Sequence, residues 1–286
     1  MTYRPTPYAP PHRPRPRLTR RGRLVLLLGA VLAVAAAVAV PLLLARDERP
    51  AAERPRPLLV PEGRRSAQVY SSVDRALGLP GGTARKTATA PGTALPLPAE
   101  ARGNPEGYLF PATYPVLSTT TPEELLRFMA DTAGKRFGTA RIAEGAKAHG
   151  MSVYEAVTAA SIVQAEADNP DDMAKVARVV HNRLARGMAL QMDSTLNYAL
   201  DRSTVDTTRE DTRSTSPYNT YARKGLPPTP IGNPGEQALD AVIGPADGDW
   251  LYFVTVAPGD TRFTADYASH QANVAEFNAN RRSGQP

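Results

Sequence analysis

The chain has 286 residues, 34 Lys and Arg against 28 Asp and Glu, a formal charge of +6, 28 prolines and no cysteine. That length can bury a sizeable core in one or two domains, and the missing cysteines exclude disulfides, thiol nucleophiles and Cys-ligated zinc. Eight arginines and no acidic residue fall within residues 1–46, which leaves 26 basic against 28 acidic side chains for residues 47–286. The larger part of the chain is therefore near neutral, without a basic stripe to track phosphates, and no nucleic-acid partner is expected. His12, His149, His181 and His270 are scattered without H-E-x-x-H spacing. Neither a Gly-rich phosphate loop nor a G-x-S-x-G elbow is present, so no metal and no cofactor is expected.

Residues 1–23 are rich in Pro and Arg and are expected to form a disordered arm. Residues 24–45 run for 22 positions without a charge. At 1.5 Å per residue a helix of that length spans about 33 Å, enough for a hydrocarbon core of about 30 Å. The preceding arginines place the arm in the cytoplasm and the rest of the chain on the far side of the bilayer. A cleaved signal peptide is the rival reading, but the stretch is longer than an ordinary apolar region of that kind and no A-x-A site follows. Residues 46–57 read as a charged, Pro-rich linker. Residues 58–60 read as a strand, 61–63 as a turn, 66–79 as a helix and 85–105 as a loop.

Stronger patterns follow. Thr121-Pro122-Glu123-Glu124 and Ser152-Val153-Tyr154-Glu155 are helix starts. The second opens a helix with an apolar face through Ala156, Ala159, Ile162 and Val163. Asn169-Pro170 stops it and starts another, amphipathic through Met173, Val176, Ala177, Val180 and Leu184 and ended by Gly187. Residues 188–193 alternate as a strand does. Asn233-Pro234-Gly235-Glu236 begins a short helix to about Ile243, residues 250–256 read as a strand apolar on both faces that turns through Pro258-Gly259-Asp260 into a hairpin, and a last helix carries His270, Val274 and Phe277. The expected fold is α+β, a mainly helical domain with a small sheet.

Glu166 continues the apolar stripe of its helix, since Val163, Ile162 and Ala159 lie three, four and seven positions before it. It also falls in the last turn, where the helix dipole opposes negative charge, so burial and dipole both push its pKa upward. A carboxyl that keeps its proton near neutral pH suits a general acid. A bland alternative is a glutamate that reaches solvent or pairs with Lys175 or Arg178. The run Ser216-Pro217-Tyr218-Asn219-Thr220-Tyr221, followed by the Pro-rich segment 224–235, offers aromatic faces and amides suited to a sugar ring, or forms a rigid loop over the core. Gln191 and Asp193 share one phase of their alternation and could face one cleft, or cap a turn. His181-Asn182-Arg183 fits a solvated or core-pairing face.

Several separated blocks, in order, resemble the MltG (YceG-like) family of endolytic murein transglycosylases. They are Glu106-Gly107-Tyr108-Leu109-Phe110-Pro111-Ala112-Thr113-Tyr114, Ala160-Ser161-Ile162-Val163-Gln164-Ala165-Glu166, Asn182-Arg183-Leu184 and Leu190-Gln191-Met192-Asp193-Ser194-Thr195. The 216–235 run, Leu251-Tyr252-Phe253-Val254, His270 and Asn273 complete the match over about residues 58–280. The resemblance implies a short LysM-like portion with its loop over 58–105 and a catalytic domain over 106–286. It implies cleavage of nascent peptidoglycan strands between MurNAc and GlcNAc to leave 1,6-anhydro-MurNAc ends, in a single-pass protein of the cell membrane working beside cell-wall synthases. The catalytic glutamate of the family falls on Glu166, with Tyr218, Asn219, Asn182, Gln191 and Asp193 as residues lining the cleft. The sequence departs from the family pattern at Gln164, Ala112, Ser194 and Ser269. Two other readings stand beside this one: a muramidase in which Asp193 serves as nucleophile or base, and a membrane-anchored glycan-binding or division scaffold without turnover.

Overall fold

The computed structural model describes residues 19–46, 53–202 and 208–284. Residues 1–18 of the expected arm and 47–52 of the expected linker lie outside the described residues. The chain divides into two compact units, Met1–Arg54 and Pro55–Pro286. The first contains helix α1 (Arg20–Arg46), whose described leucines and valines are exposed on every side. It is long and apolar enough to cross a membrane.

In the second unit, strand β1 (Arg56–Leu59) pairs antiparallel with β2 (Thr113–Val116), Leu58 opposite Tyr114. The chain between them forms α2 (Ser66–Leu77), α3 (Thr83–Thr89) and a 3-10 turn at Ala99–Ala101. Helix α3 and this turn stand where a loop is expected. The cause is a cap supplied by a different helix: the buried Asp74 carboxylate of α2 accepts the backbone N–H groups of Gly82 and Ala84, each at 2.7 Å. It thereby satisfies N–H groups that a helix start leaves free. Helix α4 (Pro122–Phe137) begins at Thr121, whose hydroxyl accepts the Glu124 N–H while the Glu124 carboxylate accepts the Thr121 N–H. Leu58, Val69, Val73, Leu109, Tyr114, Leu126 and Met129 form the core shared by β1, β2, α2 and α4.

Helix α5 (Ala140–Ala148), for which no element is expected, precedes α6 (Val153–Glu166). The expected apolar face of α6 is buried, and so is the rest of its circumference: every residue from Ala156 to Val163 is inaccessible. Ala160, Thr158 and Ser161 fill the sides that the stripe leaves out, since small residues allow close helix approach without adding to a hydropathy pattern. The Thr158 and Ser161 hydroxyls stay inside the protein, donating to the carbonyls of Tyr154 and Thr158. Around α6 pack α7 (Pro170–Ala185), capped by Asn169, then α8 (Asp193–Ala199) and α9 (Glu236–Ile243).

The strand expected over residues 188–193 is not formed. Ala189 makes an isolated bridge with Lys224, Gln191 adopts φ +53°, and Asp193 already begins α8. The alternation there reflects the burial of Leu190 and Met192 under a loop. The expected hairpin is present as β3 (Tyr252–Ala257) and β4 (Asp260–Thr264), with Phe253 opposite Phe263. Helix α10 (Tyr267–Arg282) lies against it, and most of β3 remains half-buried, so this strand is less enclosed than its apolar sequence suggests. The fold is α+β, mainly helical with two two-stranded antiparallel sheets among the described residues.

Two contacts draw distant segments together next to α6. Gly107 has φ +86°, and a Cβ there would come within 2.5 Å of the Pro230 ring. Fully buried Asn233 accepts the Leu109 N–H through Oδ1 at 2.7 Å and donates Nδ2 to the Arg64 carbonyl at 2.7 Å. Its own backbone exchanges bonds with Gly63 and Arg64. Replacing Asn233 by Ala strands a buried N–H and is expected to lower unfolding stability by about 2–4 kcal/mol. Urea unfolding of the two proteins measures this; a loss below about 0.5 kcal/mol would show that these bonds do not hold the segments together.

Candidate active site

Glu166 is the last residue of α6, and Ala167 leaves the helix in extended conformation. The residue is half-buried, with enough protein around its carboxyl group to desolvate it. The Ser194 N–H, in the first turn of α8, donates to Glu166 Oε1 at 3.3 Å. Burial pushes the Glu166 pKa above the ordinary carboxylate range; the Ser194 contacts pull it down, and the Asp193 charge raises it again. The net direction is upward because desolvation outweighs the Ser194 contacts. The Ser194 hydroxyl is buried without a partner in hydrogen-bond geometry. It is nonetheless near enough to favour the charged carboxylate, and the backbone N–H is the firmer contact. Lys175 and Arg178 turn elsewhere, the first to Asp172 and the Phe263 ring, the second to the Ala246 carbonyl and Asp247.

The start of α8 is held by the tyrosine-bearing loop. Thr220 Oγ1 accepts the Met192 N–H at 3.0 Å and lies 2.8 Å from Thr195 Oγ1, while the Thr220 carbonyl accepts the Gln191 N–H at 3.0 Å. One residue later, the Tyr221 hydroxyl donates to Asp193 Oδ1 at 2.6 Å. Burial, this bond and the charges of Asp193 and Glu166 all raise the Tyr221 pKa, so it stays a phenol. Glu166, Asp193 and Tyr221 thus gather from α6, α8 and the loop.

The other expected residues divide. Gln191 is exposed beside this cluster, its Oε1 accepting from Arg183 Nη1 at 3.2 Å. Tyr218 is half-buried, its ring 4.9 Å from that of Tyr198 and its hydroxyl 2.9 Å from Thr229 Oγ1. Asn219 is fully buried, donating to the carbonyls of Thr212 and Ser214 and accepting the Tyr221 N–H. Its amide shapes the loop and presents nothing to a ligand. Asn182 donates to the carbonyls of Gly248 and Trp250 and lines a cavity of about 710 Å³ with His149, Tyr154, His181 and Pro227. That cavity opens at the other end of α6: Thr158, its nearest lining residue on the helix, is about 12 Å along the axis from Glu166. The structure therefore does not bring Asn182 to Glu166. Among the described residues no group of three or more metal-ligating side chains gathers.

Sequence reasoning missed Tyr221 and Arg183. Tyr221 stands in the loop already singled out, three positions after Tyr218, and only the fold distinguishes the two. Arg183 is buried and bonded to the carbonyls of Leu251 and Leu190 at 2.6 and 2.7 Å, with its guanidinium 5.2 Å from the centre of the Tyr252 ring. It anchors the turn that carries Gln191; its place in the block Asn182-Arg183-Leu184 was the one signal for it in the sequence.

A profile of the YceG-like family matches residues 35–276. Endolytic murein transglycosylases of Bacillus subtilis and Streptococcus pneumoniae are 36% and 35% identical over 166 and 182 residues, 58% and 62% of this chain. The matched regions make up 46% and 33% of those proteins, so the chain spans about half or less of the relatives it matches. A crystal structure of a YceG-like protein from Listeria monocytogenes superposes with a TM-score of 0.66 at 31% identity, covering 76% of this chain and 75% of that one.

Raising the Glu166 pKa in the fold has a sign that can be checked. Between the unfolded and folded pKa values the native state binds more protons, so its stability falls as pH rises through that window. Glu166→Gln removes the penalty. Its unfolding stability relative to the wild type is expected to climb from acidic pH toward neutrality and then level off. Denaturation at a series of pH values tests this, and a difference independent of pH would mean that Glu166 is not desolvated.

Proposed function

Because the chain belongs to the YceG-like family, we propose that it is an endolytic lytic transglycosylase of peptidoglycan, with Glu166 as its single acid–base group. The observation that carries this reading is a carboxyl whose burial favours the protonated form, placed at the end of a core helix beside Asp193 and Tyr221. In the proposed reaction Glu166 gives its proton to the glycosidic oxygen as the MurNAc C1–O bond breaks, releasing GlcNAc with a free hydroxyl. The Glu166 carboxylate then takes the proton of the MurNAc C6 hydroxyl as O6 bonds to C1. The product ends in 1,6-anhydro-MurNAc, Glu166 is protonated again, and no water is consumed.

Asp193, held by Tyr221, contributes negative charge toward a sugar ring that becomes positive as the bond breaks. The exposed Gln191 and the Tyr218 ring offer an amide and an aromatic face to flanking sugars. Helix α1 supports a membrane-anchored protein with its arginine-rich end in the cytoplasm and residues 55–286 outside, where cleavage of nascent strands would end their elongation beside the synthases.

A hydrolytic muramidase is the second reading, favoured by Asp193 as a second carboxylate near Glu166. Mass spectrometry of uncrosslinked strands incubated with the protein separates the two: anhydro ends support the lytic reaction, and reducing MurNAc ends support hydrolysis. Glu166→Gln is expected to lower turnover by about 10²–10⁴-fold. Full turnover in that variant would remove Glu166 from the chemistry, and a cellular role that survives the loss of turnover would favour a scaffold and overturn the enzyme reading.

A further inference from the structure

Glu106 is a buried carboxylate that this chemistry does not use. It is 5% exposed, in the turn before β2. Oε1 accepts the Ser66 N–H at 2.9 Å and the Ser66 hydroxyl at 3.2 Å, and Oε2 accepts the Tyr198 hydroxyl at 3.1 Å. The ionisable groups around it are Arg65, Tyr70 and Tyr198. Arg65 does not pair with it directly. That guanidinium lies 5.2 Å from the centre of the Tyr198 ring and bonds to the Arg202 carbonyl and Asp201. A carboxylate kept out of water and met by neutral donors is costly, and an apolar residue of similar volume would cost less.

What the cost secures is the placement of α8. This helix has only seven residues, so its two ends move together. Ser194 in its first turn meets Glu166, and Tyr198 in its last turn meets Glu106. The Tyr198 ring also rests against Tyr218, whose hydroxyl reaches Thr229. We propose that Glu106 is a positioning residue for the Glu166 site: through Tyr198 it sets the height of α8, and so the distance from the Ser194 N–H to the Glu166 carboxylate. As a statement about catalysis this deepens the lytic reading given above, while the geometric claim stands apart from it.

The groups that face Glu166 are Ser194 and Asp193 from α8 and Tyr221 from the loop. If α8 loosens, both the Ser194 contacts, which favour the charged form, and the Asp193 repulsion weaken. Loosening also lets water reach the carboxyl, and burial is the largest of these causes, so the Glu166 midpoint moves downward. The test is the carbon-13 carboxyl titration of Glu166 in the full chain in detergent micelles, for wild type, Glu106→Gln, Tyr198→Phe and the double variant. Either single change is expected to lower the midpoint and to lower turnover of glycan strands about tenfold. The double variant is expected to go no further than the singles, because both cut one connection. Tyr198→Phe keeps the ring and the packing, so it reports even if Glu106→Gln folds poorly. A midpoint that stays in place while only the unfolding temperature falls, or effects that add, would overturn the proposal and leave Glu106 as a structural tie between α2 and α8. Absence of turnover in the wild type would count against the lytic reading alone, because the titration still decides the positioning.

Discussion

One constraint governs the rest of this structure: a carboxyl group is carried to the edge of the core by a helix that has no solvent-facing side for most of its length. Helix α6 is enclosed by α5, α7 and α9 from Ala156 to Val163, and Glu166 lies in its last turn, where accessibility returns. Desolvation there raises the cost of charge, and the Ser194 N–H returns part of it. The balance favours the protonated form more than it would in an exposed glutamate. Moving Glu166 one turn earlier would bury it unpaired, and one turn later would leave it an ordinary surface glutamate.

The remaining site is built to keep that balance. Helix α8 is too short to hold its own position, and it is fastened at its start by Thr220 and at its end by Glu106. The loop that supplies Thr220 and Tyr221 is itself shaped by the buried amide of Asn219. Farther along, Asn233 binds the same chain to Leu109 and Arg64, so the segment near β1 and the loop beside α6 belong to one framework. Ser161 and Gln164 of α6 take part as well, accepting the N–H groups of Ile231 and Gly235. Two polar side chains of α6 thus fix the loop over residues 231–235.

Much of this was legible where the cause is local. Thr121, Ser152 and Asn169 each cap the helix that follows within three residues, and those helices begin where the sequence places them. The helix-end position and desolvation of Glu166 were legible for the same reason, because its stripe and its terminal position are both read within one helix. Causes that act across the chain were not legible. Asp74 caps α3 from another helix, and Gln191 breaks an apparent strand because Thr220 and Arg183 hold it in a turn. Asn182 and Asn219 have the chemistry of sugar-binding amides, yet both are occupied by backbone carbonyls that only the fold brings near. Tyr221 differs from Tyr218 in sequence by nothing that predicts which one reaches Asp193.

The most direct measurement is the titration of the Glu166 carboxyl itself in the wild-type chain, followed by carbon-13 spectroscopy with Glu166→Gln to assign the signal. The expected midpoint lies clearly above that of an exposed glutamate and falls when water is given access to the end of α6. A midpoint at or below the ordinary carboxylate value would mean that the Ser194 contacts outweigh burial, and Glu166 could not serve as the acid on which the proposed reaction rests.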